Sequence, residues 1–210
     1  MLNKVIKPTN YTLLVITDIL RKCFGYNFFS KLDISMQFYS FELTEKAKNL
    51  CTIVTPFGAY WYNRAPMGLR NSPAFAQARM EELLRDIEEA DIYIDNIGVF
   101  TETWEEHLKA LTTVLNLLEK KGFTINPRKY EWAVRETDWL GYWVTPDGLK
   151  PWKKRVNAIL KLQPPKSAAE VRTFLGMVNF YRDMWRRRLH TMVLFSQLAN
   201  PQGRKNAPTT

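Results

Sequence analysis

Two acids far apart in the chain, Asp33 and Asp95, stand where a carboxylate is out of place. In Asp91-Ile92-Tyr93-Ile94-Asp95-Asn96-Ile97-Gly98-Val99-Phe100, β-branched and aromatic runs flank an Asp-Asn pair. The pattern predicts a tight hairpin with Asp95 and Asn96 at its tip, since both residue types tolerate positive φ. Turn chemistry alone accounts for such a pair. A second acid changes the weighing: in Lys31-Leu32-Asp33-Ile34-Ser35-Met36, Asp33 lies among apolar neighbours on a segment that begins as a strand. A carboxylate is costly to bury unless it is paired or binds metal. Two carboxylates on separate strands can converge on one face of a sheet and hold hard divalent cations such as Mg2+. A pair of such ions about 3.5–4 Å apart clamps the attacking and leaving oxygens in phosphoryl transfer. Spacing alone does not establish convergence.

The elements that must position these acids follow from periodicity and caps. Pro66-Met67-Gly68 belongs to a loop that lets a ligand approach the backbone, and it leads to a helix start with Ser72 as N-cap and Pro73 in the first turn. The helix at 73–89 turns Ala76, Met80, Leu83, Leu84 and Ile87 to one side. A second helix begins at Thr103, whose hydroxyl and Glu106 match a capping box, and directs Leu108, Leu111, Leu115 and Leu118 inward as far as Lys120-Lys121-Gly122. Helices behind acid-bearing strands make an α+β layer. Upstream, Thr17-Asp18 can cap a short helix through about Cys23, and 43–50 reads as loop or short helix. The segments 51–55 and 59–63 read as a hairpin whose aromatic row, Tyr60-Trp61-Tyr62, is either a stacking surface or, as is commoner, core.

From Phe123 to Val144 the chain reads as short strands, and the turn Pro146-Asp147-Gly148 marks a boundary. Beyond it the sequence is helical and basic, with Lys153, Lys154 and Arg155, a capping box at Ser167 and Glu170, and a positive patch at Arg186-Arg187-Arg188. A charge run is a solvated face or a grip on a phosphate backbone. Residues 201–210 are expected to be disordered.

A chain of 210 residues with 46% hydrophobic content and a formal charge of +9 has ample core and favours a polyanionic partner. Cys23 and Cys51 lie in apolar sequence and read as buried free thiols of a reducing compartment. No zinc-ligand spacing, secretory leader or membrane-length apolar run is present in the sequence. His107 and His190 stand alone, with surface or capping roles as the default.

At this point several motifs fall into one order. Lys31-Leu32-Asp33-Ile34, Ala65-Pro66-Met67-Gly68-Leu69-x-Asn71-Ser72-Pro73, Tyr93-Ile94-Asp95-Asn96, Trp139-Leu140-Gly141-Tyr142 and the run from Val171 to Arg182 resemble the reverse transcriptase of gypsy-type LTR retrotransposons. That resemblance implies a right-handed polymerase fold of the α+β class: palm with partial fingers over 1–145 (fingers about 41–71), helical thumb over 146–200, and a tail at 201–210. Asp33 and Asp95 would hold two Mg2+ ions, with Mn2+ as a substitute, and Asn96 would fill the third catalytic position. Phe38 would be the gate against a 2′ hydroxyl, and Pro66, Met67 and Gly68 would line the nucleotide pocket. Leu140 and Gly141 would press on the primer end, while Lys153, Lys154, Arg155, Arg186, Arg187 and Arg188 would grip nucleic acid. The implied partners are an RNA or DNA primer–template and deoxynucleoside triphosphates, without a membrane, in a polyprotein with RNase H and integrase. The implied location is the cytoplasm, within a retrotransposon particle, or the nucleus.

Departures from the family pattern matter. The family has an acid where Asn96 stands, the chain begins inside a family motif at Met1-Leu2-Asn3-Lys4, and it stops before an RNase H domain. The expectation is therefore a truncated copy of an RNA-directed DNA polymerase. Its alternative is an impaired remnant that binds nucleic acid or a partner without polymerising. An RNA-dependent RNA polymerase would instead want Gly before paired acids and no bulky sugar gate.

Overall fold

A computed structural model describes residues 2–185 and 187–199, except the side chains of Leu194 and Gln197. Arg186 and the tail expected at 201–210 lie outside the described residues. Contacts divide the chain into two compact units, residues 1–140 with 144–148, and residues 141–143 with everything from 149 onward.

The first unit opens with a segment laced onto the 66–71 loop by two asparagines. Asn3 donates to Gly68 O at 2.7 Å and accepts from Arg70 N, while Asn71 donates to Lys7 O at 2.8 Å. Helix α1 (Ile16–Arg21) follows; its N-cap is Val15, without a side-chain cap, so Asp18 sits inside the first turn and pairs with Arg21 rather than capping. Then come β1 (Phe28–Ser35), a 3-10 turn at Gln37–Ser40, α2 (Glu45–Leu50), and the hairpin β2 (Thr52–Thr55) and β3 (Gly58–Trp61). Helix α3 (Ser72–Leu84) leads to β4 (Ala90–Tyr93) and β5 (Asn96–Thr101), and α4 (Trp104–Lys120) leads to β6 (Thr124–Ile125) and β7 (Glu131–Val134).

Strand β1 is central to an antiparallel sheet in the order β4-β5-β1-β6, with β7 also paired to β1. Side chains alternate along it. Leu32 and Ile34 enter a core shared with Met80, Leu84, Ile92, Ile97, Val99, Val114 and Leu118, so α3 and α4 back that face. Phe29, Lys31 and Asp33 take the other face. Fully burying an aliphatic side chain is worth about 1.5–3 kcal/mol, so the helix-covered face holds the sheet while the opposite face is free to carry charge.

Five local expectations are corrected here. Helix α3 ends at Leu84 rather than near Glu89, because turns closed by Ile87 N to Leu84 O and Ala90 N to Ile87 O swing the chain into β4; Ile87 reaches the core from that turn. Its N-cap is Asn71, occupied with Lys7, and Ser72 is already helical. On α4 the capping box at Thr103 and Glu106 forms as expected, but the buried stripe is His107, Ala110, Leu111, Val114 and Leu118. Leu108 is 47% exposed, one position off that stripe. His107 is neither surface nor cap: it is fully buried between Ser30 Oγ at 2.7 Å and Thr101 Oγ1 at 3.0 Å, tying α4 to β1 and β5. In the β2–β3 hairpin, Tyr60 and Trp61 are exposed, together with Val54 and Phe57, so that aromatic row is not core. Cys23 and Cys51 are buried free thiols, as expected.

Strands β8 (Thr137–Trp139), β9 (Tyr142–Thr145) and β10 (Gly148–Pro151) form a small sheet through which the chain passes between the units. The second unit continues with α5 (Lys153–Leu160), α6 (Ala168–Asn179) and α7 (Arg188–Ala199). Ser167 caps α6 by accepting from Glu170 N, and Glu170 reaches back to Lys166 N at 2.8 Å. Rings of Tyr142, Phe180 and Tyr181 pack together, and the Tyr142 hydroxyl donates to Phe180 O. Among the described residues no helix is long and apolar enough to cross a membrane.

Candidate active site

Register places the acids. Asp33 of β1 lies directly opposite Asn96 of β5, so these two side chains share a face, the one away from α3 and α4. Asp95 is the residue before, in the turn of the β4–β5 hairpin. That turn corrects the expected tip: its two loop residues are Ile94 and Asp95, and Asn96 is already paired with Tyr93. The residue at positive φ is Ile94, at +57°, a conformation that a β-branched side chain disfavours. Asp95 is fixed on both sides: its carbonyl accepts from Ile34 N at 2.8 Å, and its carboxylate accepts from Asn96 Nδ2 at 2.8 Å. Asp33 is fixed in turn, with its carbonyl accepting from Asn126 N.

The acids influence each other electrostatically. Partial burial pushes the Asp95 carboxyl above the ordinary aspartate range; the Asp33 charge adds to the rise, while Lys129 and the Asn96 amide oppose it. Lys129 pairs with Asp33. Its ammonium bonds the Asp33 carboxylate at 3.0 and 3.3 Å, and that bond raises its own pKa. No pattern in the sequence marks Lys129, which arrives from the loop after Asn126-Pro127 through tertiary folding alone.

A cleft of about 370 Å3 adjoins the acids, lined by Lys31, Asp33, Asn96, Arg128, Lys129 and Trp139 among others. Trp139 is 1% exposed and lies directly on β5, which is possible only because residue 98 is glycine; a Cβ there would stand 2.6 Å from the indole. Lys31, two residues from Asp33 on the same face, holds the neighbouring segment through Asp138 O at 3.0 Å, the Asp138 carboxylate and Glu131. The next two residues, Leu140 at φ +49° and Gly141 at +84°, make the β8–β9 turn. Leu140 also lines the cleft.

The other expected site residues are placed less tightly. Phe38 is half-buried on the 3-10 turn after β1. Pro66, Met67 and Gly68 lie on the asparagine-laced loop, Met67 being exposed. None of these four lines the cleft. In the second unit Lys153 and Lys154 are exposed, whereas Arg155 stacks on the Phe180 ring at 3.8 Å. Arg187 is exposed and Arg188 half-buried, so the described cations are not one uniform solvated run.

The donor set fits hard cations: carboxylate oxygens from Asp33 and Asp95 and an amide oxygen from Asn96. Among the described residues no group of three His, Cys, Asp or Glu could hold a metal, so any ion here rests on two acids. A single positive side chain, Lys129, already occupies one of them.

Comparison with known proteins places this arrangement. A profile of the family described as reverse transcriptase (RNA-dependent DNA polymerase) matches residues 1–144. The chain is 33% identical over 183 residues to the retrovirus-related Pol polyprotein from transposon 297 of Drosophila melanogaster, covering 86% of this chain and 17% of that protein. It is 30% identical to the transposon Tf2-7 polyprotein of Schizosaccharomyces pombe, covering 86% of the chain and 14% of the relative. It thus spans a small part of each. Among solved structures, the foamy viral protease-reverse transcriptase dRH in complex with ds DNA is similar, with TM-score 0.81 and 27% identity over 86% of this chain and 32% of that one. The foamy viral protease-reverse transcriptase in complex with RNA/DNA hybrid matches with TM-score 0.77 and 27% identity, over 86% of this chain and 25% of its own. The fold and these matches agree: the chain belongs to the reverse transcriptase family.

Proposed function

We propose that the chain is the polymerase part of a gypsy-type LTR retrotransposon reverse transcriptase, adding deoxynucleotides to a primer on an RNA or DNA template. The observation that carries this is the register that sets Asp33 opposite Asn96, with Asp95 the adjoining turn residue whose carboxylate accepts from the Asn96 amide. Asp33, Asp95 and the Asn96 amide oxygen are the residues to hold Mg2+ or Mn2+. When bound, such ions supply Lewis-acid activation of the primer hydroxyl and neutralise charge on the triphosphate. Lys129 keeps Asp33 charge-balanced and would have to release that carboxylate for it to hold a divalent ion. Lys31 and Trp139 hold the 138–141 segment beside the acids, where Leu140 and Gly141 support the primer end. Phe38, Pro66, Met67 and Gly68 receive the nucleotide, and Lys153, Lys154 and the Arg186–Arg188 run bind the template duplex. The relatives' own descriptions support a polyprotein setting and a nucleic-acid partner; a cytoplasmic retrotransposon particle is the corresponding place of work.

Asn96 supports a second reading, a remnant that binds primer–template with little catalysis. Two unit charges about 4 Å apart interact by about 4 kcal/mol at an effective dielectric near 20, an upper bound on what the missing carboxylate removes. Since about 1.4 kcal/mol is a factor of ten, turnover slows by up to orders of magnitude. Primer extension with Mg2+ and with Mn2+ tests both readings. We expect weak extension, abolished by Asp33→Asn and increased by Asn96→Asp. Extension that survives Asp33→Asn would show a contaminant or another site. No gain from Asn96→Asp, with primer–template binding intact, favours the remnant.

A further inference from the structure

Ile94 is the strained residue of the acid-bearing turn, and both of its peptide groups are held by glutamine side chains. Gln77, fully buried on α3, accepts from Ile94 N at 2.5 Å. Its Nε2 donates to Ile92 O at 2.8 Å and to Glu81 Oε1 at 2.7 Å, so the amide oxygen has one direction left to face. Glu81 is itself fixed by the Tyr11 hydroxyl at 2.5 Å. From the other side Gln37, 4% exposed on the turn that follows β1, donates to Ile94 O at 2.9 Å. The Gln37 side-chain amide oxygen, Oε1, is buried without a partner among the described residues. Burying an unpaired acceptor is unfavourable, so this side chain is not placed there for packing. Its one bond is to the turn.

We infer that Gln37 and Gln77 are positioning residues that hold Ile94 in the left-handed conformation and thereby aim the Asp95 carboxylate toward Asp33. Neither touches Asp95. Without the bracket an isoleucine relaxes toward negative φ, and the turn that follows changes type and carries Asp95 away from its partner. The inference rests on the reading of Asp33 and Asp95 as a metal-holding pair, but its first consequence, an ordered turn, does not.

Two readouts test it on the whole chain: hydrogen exchange of the Ile94 and Asp95 amides, and affinity for Mn2+ alone, followed by electron paramagnetic resonance. Gln37→Met and Gln77→Met keep side-chain volume and remove the bonds. Exchange at Ile94 and Asp95 should rise by about tenfold, as expected for one buried hydrogen bond, while exchange in β5 stays unchanged. Mn2+ binding should weaken severalfold. Adding Ile94→Asn, a residue at ease with positive φ, should restore Mn2+ affinity in the Gln37→Met background. Faster exchange with unaltered Mn2+ affinity in both variants would reduce the bracket to a structural contact, and so would failure of Ile94→Asn to rescue. If Gln77→Met does not fold, Gln37→Met and its rescue decide the matter. Mn2+ binding that is absent from the parent, or indifferent to Asp33→Asn, sinks the metal reading alone; unchanged amide exchange in Gln37→Met then overturns the bracket as well.

Discussion

Two hairpin turns flank the cleft, each carrying a branched aliphatic residue at positive φ: Ile94 at +57° and Leu140 at +49°. Their neighbours secure them by different means. Side-chain amides hold the first turn through its own peptide groups. Around the second, shape does the holding: Trp139 is wedged on Gly98 and Phe29, and in the second unit the Phe180 ring fills the space where a Cβ on Gly141 would stand, 2.8 Å away. Polar contacts join in at its margins, from the Tyr181 hydroxyl to Gly141 O at 2.8 Å and from Lys31 to Asp138 O at 3.0 Å. Hydrogen bonds fix direction, which is what a carboxylate that must face another carboxylate needs. Close packing fixes position, which suffices for a backbone that has only to present a surface.

The contrast can be broken most severely at Gly141. Gly141→Ala combines a positive φ with a clash against Phe180, and should cost about 2–4 kcal/mol by strain and overpacking together, read as a lower denaturant midpoint. A loss under about 1 kcal/mol would mean that shape does not hold this turn. Gly98→Ala should come next, at about 1–3 kcal/mol, because its Cβ meets a buried indole. Trp139→Phe in the Gly98→Ala background should recover part of that loss; purely additive effects of the two changes would place the clash elsewhere.

The smallest effect concerns His107, a polar tie of the kind seen at the first turn, linking Ser30 and Thr101. Burial lowers its pKa, so the folded protein resists a proton that the unfolded chain accepts near pH 6.5. Stability is therefore complete above about pH 6.5 and declines as pH falls from there toward the lowered folded value. His107→Gln should flatten that slope in unfolding experiments run across this window. A slope that persists unchanged assigns the acid sensitivity to other groups.

How legible all this was in the sequence depended on whether the deciding contact was local. Thr103 and Glu106 are three residues apart, and their capping box formed as read. The β1 strand around Asp33 and the β2–β3 hairpin were equally plain, because alternation and turn residues are local signals. The tip of the acid-bearing hairpin misled: Asp and Asn are the residues that take positive φ most readily, yet Ile94 takes it, with Gln37 and Gln77 reaching from other elements to its peptide groups. Lys129, His107 and the indole of Trp139 were opaque for the same reason, their partners lying far along the chain. Leu108 failed differently, since a leucine repeat was followed where the buried stripe runs one residue earlier through His107 and Ala110.

The β2–β3 hairpin has a consequence for handling the molecule. It is a two-stranded sheet that exposes Val54 at 84%, Phe57 at 89% and Trp61 at 61%, a combination of unpaired strand edge and apolar surface that invites stacking between copies. The charge of +9 opposes such stacking, and that repulsion reaches only about 10 Å at 0.1 M salt and about 3 Å at 1 M. Strong brine, the usual means of stripping nucleic acid from a basic protein, is therefore the condition under which this hairpin will drive precipitation, and a lysine at Val54 or Phe57 is the remedy.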